Sequence, residues 1–347
     1  MYVYLGLMFI PVFFILTKKN YSKKMYDNLF IFFILFLFLF VGLRTVGSDY
    51  HIYERHYHTF QNIKTFLPTA SGDLAYDYLN YILSSNGIPF FVVTLIASAI
   101  FMFSLWLFLK NLPDPFLGLF FSMPFYIINF SMSAIRQSFA LAFLIFALFF
   151  IQKNKKIFFY ISIIFGTLFH KTVIIFCIIG SIYKKISTKH LIIFSIVAVG
   201  MLLYKGNEFL RMFQIYIGWK QQLVSYGVYM RFIPIFFSVL IFYNFYKKLP
   251  MFDQNDKEIL LVITFLCILF SPFLLIDTTT ADRMYSYIGI FQIVIFTKFI
   301  TFFEKQKKTY FTLLGLFVFF YIGNFIVWFQ FGTVSFQWEK YQSILNL

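Results

Sequence analysis

Cysteine is nearly absent from the 347 residues. The two copies, Cys177 and Cys267, both sit inside apolar runs, so neither a disulfide framework nor a metal site is expected. Charge is scarce as well. Asp, Glu, Lys and Arg make up 12% of the chain, about half of what a water-soluble domain carries. Acidic side chains are the scarcest, 14 against 29 basic ones. No glycine-rich phosphate loop occurs, which argues against ATP hydrolysis by the chain itself. No basic residue precedes the first apolar run, 2–17, whereas Lys18, Lys19, Lys23 and Lys24 follow it. That order predicts an uncleaved first span with its N-terminus outside rather than a cleaved signal.

What is abundant is apolar. Hydrophobic residues form 61% of the chain, phenylalanine alone supplies 56, and the mean hydropathy is +0.80. This composition describes an all-α, polytopic membrane protein whose solvent is lipid. A spanning helix takes roughly 17–25 mostly apolar residues. Twelve spans are read, with ten to twelve compatible: 2–17, 26–43, 88–109, 116–130, 135–151, 157–169, 172–183, 191–204, 231–246, 259–276, 284–302 and 310–330. The runs 157–169 and 172–183 are short, and a hairpin with its tip at His170-Lys171 accounts for them. The chain is expected to form a single transmembrane domain, 1–347, with two extracytoplasmic loops, 44–87 and 205–230. Each loop resembles an amphipathic helix lying on the outer surface. In the first, the helical patch is 73–83.

Cytoplasmic loops carry the lysine and arginine excess of a membrane protein. That rule sets both termini outside. It places lysine clusters such as 153–156, 184–189 and 305–308 inside, and every inward basic residue is a lysine. The net charge of +15 is thereby explained by topology, and nucleic acid is not an expected partner. All six arginines, Arg44, Arg55, Arg136, Arg211, Arg231 and Arg283, fall on the outward side. Lysine alone satisfies an orientation rule, but a two-bond grip on phosphate or carboxylate needs the planar guanidinium fork. The segregation points to an anion site on the outer face.

Four motifs carry the candidate chemistry. In Arg44-Thr45-Val46-Gly47-Ser48-Asp49-Tyr50, followed by Tyr53, a charged turn begins where a span ends. Arg44 and Asp49 read either as an anion ligand beside a base or as an interfacial ion pair. Arg136-Gln137 open a span that is otherwise apolar. Charge there faces a cavity or partner, or snorkels to the interface. Phe169-His170-Lys171-Thr172 offers an acid–base group or a polar turn. Asp282-Arg283-Met284-Tyr285 again starts a span with an arginine. The expected topology sets all four at one depth, where in a bundle they can surround one pocket, with Arg211, Lys220 and Arg231 facing the same side. His51, His56 and His58 alternate without evident further ligands, so no metal is expected.

These motifs, in this order, resemble the EpsG-type family, whose members are similar to Wzy polymerases of O-antigen, capsule and exopolysaccharide. The matching residues are Arg44 to Tyr50 with Tyr53, Ile135-Arg136-Gln137-Ser138-Phe139-Ala140, Phe169 to Thr172, and Asp282-Arg283 with Tyr285 and Tyr287. The resemblance implies a cofactor-free glycosyltransferase of the bacterial cytoplasmic (inner) membrane. Its substrate is an oligosaccharide repeat unit on undecaprenyl diphosphate. A flippase and a chain-length regulator are implied partners. On that reading the candidate residues are expected to take the following roles. Arg44, Arg136 and Arg283, with Arg211 and Arg231, bind diphosphate. His170 or Asp49 deprotonates the acceptor hydroxyl, with His170 ranked first because flanking arginines keep Asp49 ionised and weakly basic. Tyr50, Tyr53 and Gln137 bind sugar. The rival readings are another outward-facing, polyprenyl-phosphate-dependent glycosyltransferase and a transporter of the lipid-linked sugar. Charge is nearly missing from the span centres, which counts against the transporter.

Overall fold

In a computed structural model of the chain, the described residues are 1–63, 65–66, 73–183, 225, 227–246, 252–332, 335–338 and 340–346. They are helical, and the only extended pairing among them is one isolated antiparallel bridge, Arg44 to Ser343. The chain divides into two compact units. Unit 1 is Met1–Cys177 with Gln306–Leu347, and unit 2 is Ile178–Lys305.

Unit 1 holds α1 (Tyr2–Thr17), α2 (Lys23–Gly42), α3 (Tyr50–His58), α4 (Leu74–Ser85), α5 (Phe91–Leu109), α6 (Pro115–Ser122), α7 (Ile135–Gln152) and α8 (Lys156–Phe169). A π-helix, Met123–Ser131, continues α6, and a 3-10 segment, Lys171–Phe176, leads into α9 (Cys177–Ile182). Unit 2 holds α10 (Val228–Phe245), α11 (Gln254–Phe270), α12 (Phe273–Ile276), α13 (Thr278–Ile288) and α14 (Ile290–Phe302). The chain then returns to unit 1 through α15 (Lys307–Phe331).

Seven of these helices are long and apolar enough to cross a membrane, and α13 with α14, bent by 48°, makes a possible eighth span. Three of the expected crossings, Pro115–Ser131, Lys156–Phe169 and Lys171–Gly180, are shorter apolar helices. The expected span 191–204 and the loop 205–230 up to residue 224 lie outside the described residues. Large apolar side chains such as Phe32, Phe319 and Leu316 are exposed on the long helices. On a chain of this hydropathy that is a lipid-facing surface.

Helix starts follow local chemistry. Ser22 caps α2 by accepting from Met25 N at 3.3 Å. Asp114 precedes Pro115, and its Oδ1 accepts from Phe116 N and Leu117 N at 3.1 and 3.2 Å. Proline at the first helical position loses no bond that the helix would make. The same carboxylate takes Tyr26 Oη at 3.0 Å and Lys18 at 3.1 Å. It thus ties the α1–α2 turn to α6.

In unit 1, α2 packs on α5, α5 on α7, and α7 on α8. Gly166 allows the last of these. A Cβ there would stand 3.2 Å from Phe143 Cβ and 3.3 Å from Ala140 O. Close approach stacks Phe139 on Phe169, with centroids 4.3 Å apart, and sets the end of α8 beside the start of α7. The described residues of the segment 44–87 form two helices, α3 and α4, and the second covers the patch expected at 73–83. Tyr50, Tyr53 and Tyr57, spaced three and four apart, line one face of α3. With Tyr76 and Leu83 they pack against Phe90, Val93, Ile135 and Phe139.

In unit 2, α10 packs on α13 and α14, and α11 on α13. Lys298 and Asp256 pair between α14 and α11.

Candidate functional site

At one end of unit 1 the structure builds two adjoining arrangements, each around an arginine. The first is centred on Arg44, which is 1% exposed. Its guanidinium donates from Nη1 to Val41 O at 2.5 Å, from Nε to Met132 O at 2.9 Å and from Nη2 to Ser131 O at 3.0 Å. These carbonyls lie at the end of α2 and just past the π-helix, where helix geometry leaves acceptors unfilled. Gly47 holds the loop against the same strip. Its φ is +131°, and a Cβ would lie 2.1 Å from Met132 O. Ser48 and Ser133 join across this contact by a hydroxyl–hydroxyl bond.

The C-terminal segment closes the knot. Thr45 N donates to Gln342 O at 2.9 Å and Ile344 N to Leu43 O at 3.0 Å. Tyr341 stacks on Phe40 at 4.1 Å, and Trp338 Nε1 donates to Ile128 O at 3.2 Å. Burial lowers the Arg44 pKa to about 10, against the pull of Tyr50, Tyr341 and Tyr4. The side chain therefore stays charged at neutral pH, and carbonyl dipoles do the work of water. The fork that sequence reasoning assigned to an anion is here committed to the chain itself.

The second arrangement centres on Asp73, a residue singled out by sequence only as the start of a helical patch. It sits at the N-cap position of α4 and is 1% exposed. Its Oδ2 accepts from Arg136 Nη1 at 2.7 Å and faces His170 Nδ1 at 3.4 Å. His170 is 7% exposed, and its other nitrogen, Nε2, lies 3.4 Å from Gln137 Nε2. An amide nitrogen can only donate, so this pattern fits a proton on Nδ1 toward Asp73 and a lone pair on Nε2. The extended backbone of His170, φ −158° and ψ 114°, breaks the chain between α8 and the 3-10 segment and turns the imidazole inward. The Arg136 side chain is 32% exposed. Its guanidinium lies over Tyr53 and Tyr76, 5.6 and 6.0 Å from the ring centroids. Each such contact contributes about 0.5–2 kcal/mol. Its Nε has no hydrogen-bond partner among the described residues.

The remaining sequence candidates divide by place. Asp49 stands at the N-cap of α3 and takes Ser48 Oγ at 3.2 Å. Tyr50 is buried edge-on against Phe90. Burial raises its pKa to about 12, with Glu54 adding and Arg44 opposing. Tyr53 is buried edge-on against Tyr76, and burial raises its pKa too, against Arg136. Both phenols are neutral at physiological pH, and their faces are occupied by protein. In this geometry they support Arg44 and Arg136, where sequence reasoning had them stacking on sugar. Downstream on α4, Asp77 pairs with His56 at 3.1 Å.

In unit 2, Arg231 grips Asp282 by two bonds, Nε to Oδ1 at 2.6 Å and Nη2 to Oδ2 at 2.5 Å. Ser225 Oγ donates to the same carboxylate at 2.9 Å. Asp277 caps α13 through Thr279 N and Thr280 N, and half-buried Arg283 lies in the second turn. Arg211 and Lys220 lie outside the described residues.

Arg136, Gln137 and His170 are thus brought together by α7 and α8. The signal that finds Asp73 is a pair of acids one turn apart, Asp73 and Asp77, on the same helix face as Asn80 and Ser84. All four are buried, and acids on a helix's buried face need partners.

No curated protein and no solved structure matches the chain. A family model described as the EpsG family matches residues 27–343, nearly the whole length. It takes in both arginine arrangements, α3 and α4, and the C-terminal segment as far as Ser343. The chain is a polytopic membrane protein, helical among its described residues, that belongs to the EpsG family.

Proposed function

We propose that this protein is a Wzy-like polysaccharide polymerase. It joins oligosaccharide repeat units carried on undecaprenyl diphosphate at the outer leaflet of the bacterial cytoplasmic membrane. In the proposed topology both termini and the Arg136–His170 end of unit 1 lie outside. Membership of the EpsG family supports the polymerase class. The observation that carries the site is the meeting of Arg136 and His170 on one buried carboxylate, with Gln137 at the other nitrogen of His170.

A hydroxyl oxygen of the incoming unit attacks the anomeric carbon of the growing chain. The new C–O bond forms as the bond from that carbon to the diphosphate oxygen breaks. The hydroxyl proton goes to His170 Nε2, and the leaving diphosphate takes the electron pair. Arg136 stabilises the charge that grows on it, as a preorganised cation does in a partly dry site. Gln137 marks where the acceptor hydroxyl lies, since its amide already faces the accepting nitrogen. Inversion at one carbon needs one base and one stabilised leaving group. The bond energy comes from the glycosyl phosphate, so no nucleotide is consumed.

Asp49 is the second choice of base, because its carboxylate borders the structural knot rather than the Arg136 cluster. Arg283 in unit 2 and Arg211 are assigned to lipid diphosphate by the same outward placement in sequence, whereas the fork of Arg231 holds Asp282.

The test is the surface-glycan ladder of a deletion strain carrying variants. Single-repeat glycan accumulates without the gene, and the intact gene restores long chains. Arg136→Lys keeps the charge and loses the fork. Normal long-chain polymer in that variant sinks the arginine role. A truncated repeat unit in the deletion strain, in place of single complete units, identifies a different glycosyltransferase.

A further inference from the structure

Asp73 holds the two groups to which the proposed reaction gives opposite tasks. The anion ligand Arg136 lies 2.7 Å from its Oδ2, and the proton acceptor His170 lies 3.4 Å from the same oxygen. One buried oxygen thus divides its charge between them. The shorter and charge-assisted contact is the stronger, so in this state the carboxylate serves Arg136 first.

We infer that Asp73 is a positioning residue that couples diphosphate binding to the basicity of His170. This rests on the polymerase reading above. When a lipid diphosphate arrives, its oxygens compete with Asp73 for the Arg136 fork. Arg136 has the freedom to answer, since about a third of its side chain is exposed. As the guanidinium turns to the phosphates, Asp73 loses that cation while it still faces His170 Nδ1–H. A carboxylate less compensated than before favours the imidazolium beside it, so Nε2 becomes a stronger base once the leaving group is held. The proton taken at Nε2 comes from the acceptor hydroxyl, while Nδ1 keeps its own proton against Asp73. Among the described residues, the charged and titratable groups around His170 are Asp73 at the start of α4, Arg136 from α7, Tyr53 from α3 and Lys171 next in the chain. Tyr53 is a neutral phenol, and Lys171 is exposed. Asp73 is therefore the buried anion in position to act.

The coupling predicts a split that loss of structure does not give. Asp73→Asn releases Arg136, so a diphosphate competes with nothing and KM for the lipid-linked repeat unit falls by about three- to tenfold. The same change leaves His170 without its carboxylate, and kcat falls by about 10- to 100-fold, the worth of a hydrogen bond to a charged group. The acid limb of the kcat profile moves to lower pH, because the imidazolium is no longer stabilised. The assay uses the full chain in nanodiscs with purified lipid-linked repeat unit, and undecaprenyl diphosphate as the binding probe. Asp77→Asn removes the other acid–histidine pair of α4 and serves as the control for helix damage.

A rise in KM together with the fall in kcat overturns the coupling. So does an acid limb that stays in place, or one that moves equally in Asp77→Asn. Additive losses in the Asp73→Asn, His170→Gln double variant also overturn it, since the carboxylate then acts elsewhere. Failure of the polymerase reading looks different: the intact protein then joins no lipid-linked repeat units in the same nanodiscs, whatever Asp73→Asn does.

Discussion

Arg44 and Arg136 open two motifs of the same kind, an arginine at the end of an apolar helix, and the fold uses them in opposite ways. Around Arg44 the acceptors are three main-chain carbonyls, the side chain is enclosed, and a glycine and the C-terminal segment seal it. Around Arg136 the acceptor is a carboxylate shared with a histidine, and one face of the guanidinium lies on aromatic rings. Neutral carbonyls in fixed positions spend a guanidinium on holding helix ends. A shared carboxylate on a partly exposed guanidinium leaves a competition that a ligand can enter. Residue type alone separates neither role from the other; the chemistry of the acceptors does.

The largest effect that sharpens this contrast is at Arg44. Arg44→Met leaves three buried carbonyls without donors and should cost about 3–5 kcal/mol, from about 1–3 kcal/mol for each stranded group with partial relaxation. Membrane abundance and thermal unfolding in detergent read it. Wild-type abundance with polymer lost moves Arg44 out of the knot and into the anion site. Gly47→Ala follows, at about 2 kcal/mol or more. The alanine meets both an unfavourable positive φ and the Met132 carbonyl. A variant of normal stability shows that the loop is not pinned to that strip.

Arg136→Lys is expected to keep abundance within about twofold, because the ammonium still compensates Asp73, even though long-chain polymer is lost. A collapse in abundance makes Arg136 a second structural arginine and erases the comparison. The smallest effect belongs to Tyr53→Phe. It retains the ring under the guanidinium and should change stability by less than about 1 kcal/mol, with the glycan ladder unaltered. Loss of polymer in that variant assigns the hydroxyl, rather than the ring, to the reaction.

Much of the helical order was legible because apolar runs and breakers are local signals. The break at His170, the helix starting near Asp73 and the opening of α7 at Ile135 fall where the pattern puts them. The count of crossings was less legible. Hydropathy marks a run as apolar without saying whether it continues, bends or stops short, and Pro115–Ser131, with its π-helical half, reads the same as a full span. Arg136, Gln137 and His170 were legible as polar residues where lipid makes polarity costly. Asp73 was not, because its two partners are 63 and 97 residues away and no local pattern joins them. The C-terminal segment carried no motif at all. It reaches the Arg44 loop through backbone bonds and one stacked ring, which almost any sequence of similar shape can supply.

The sequence by itself determined that the chain lives in a membrane. It also set which short polar motifs interrupt the apolar runs. Those are properties of composition and order, fixed by the free energy of placing each residue in lipid or water. Only the tertiary structure decided which arginine is sealed and which is shared. That depends on which acceptors from distant helices reach each guanidinium within hydrogen-bonding range, and packing alone sets those distances.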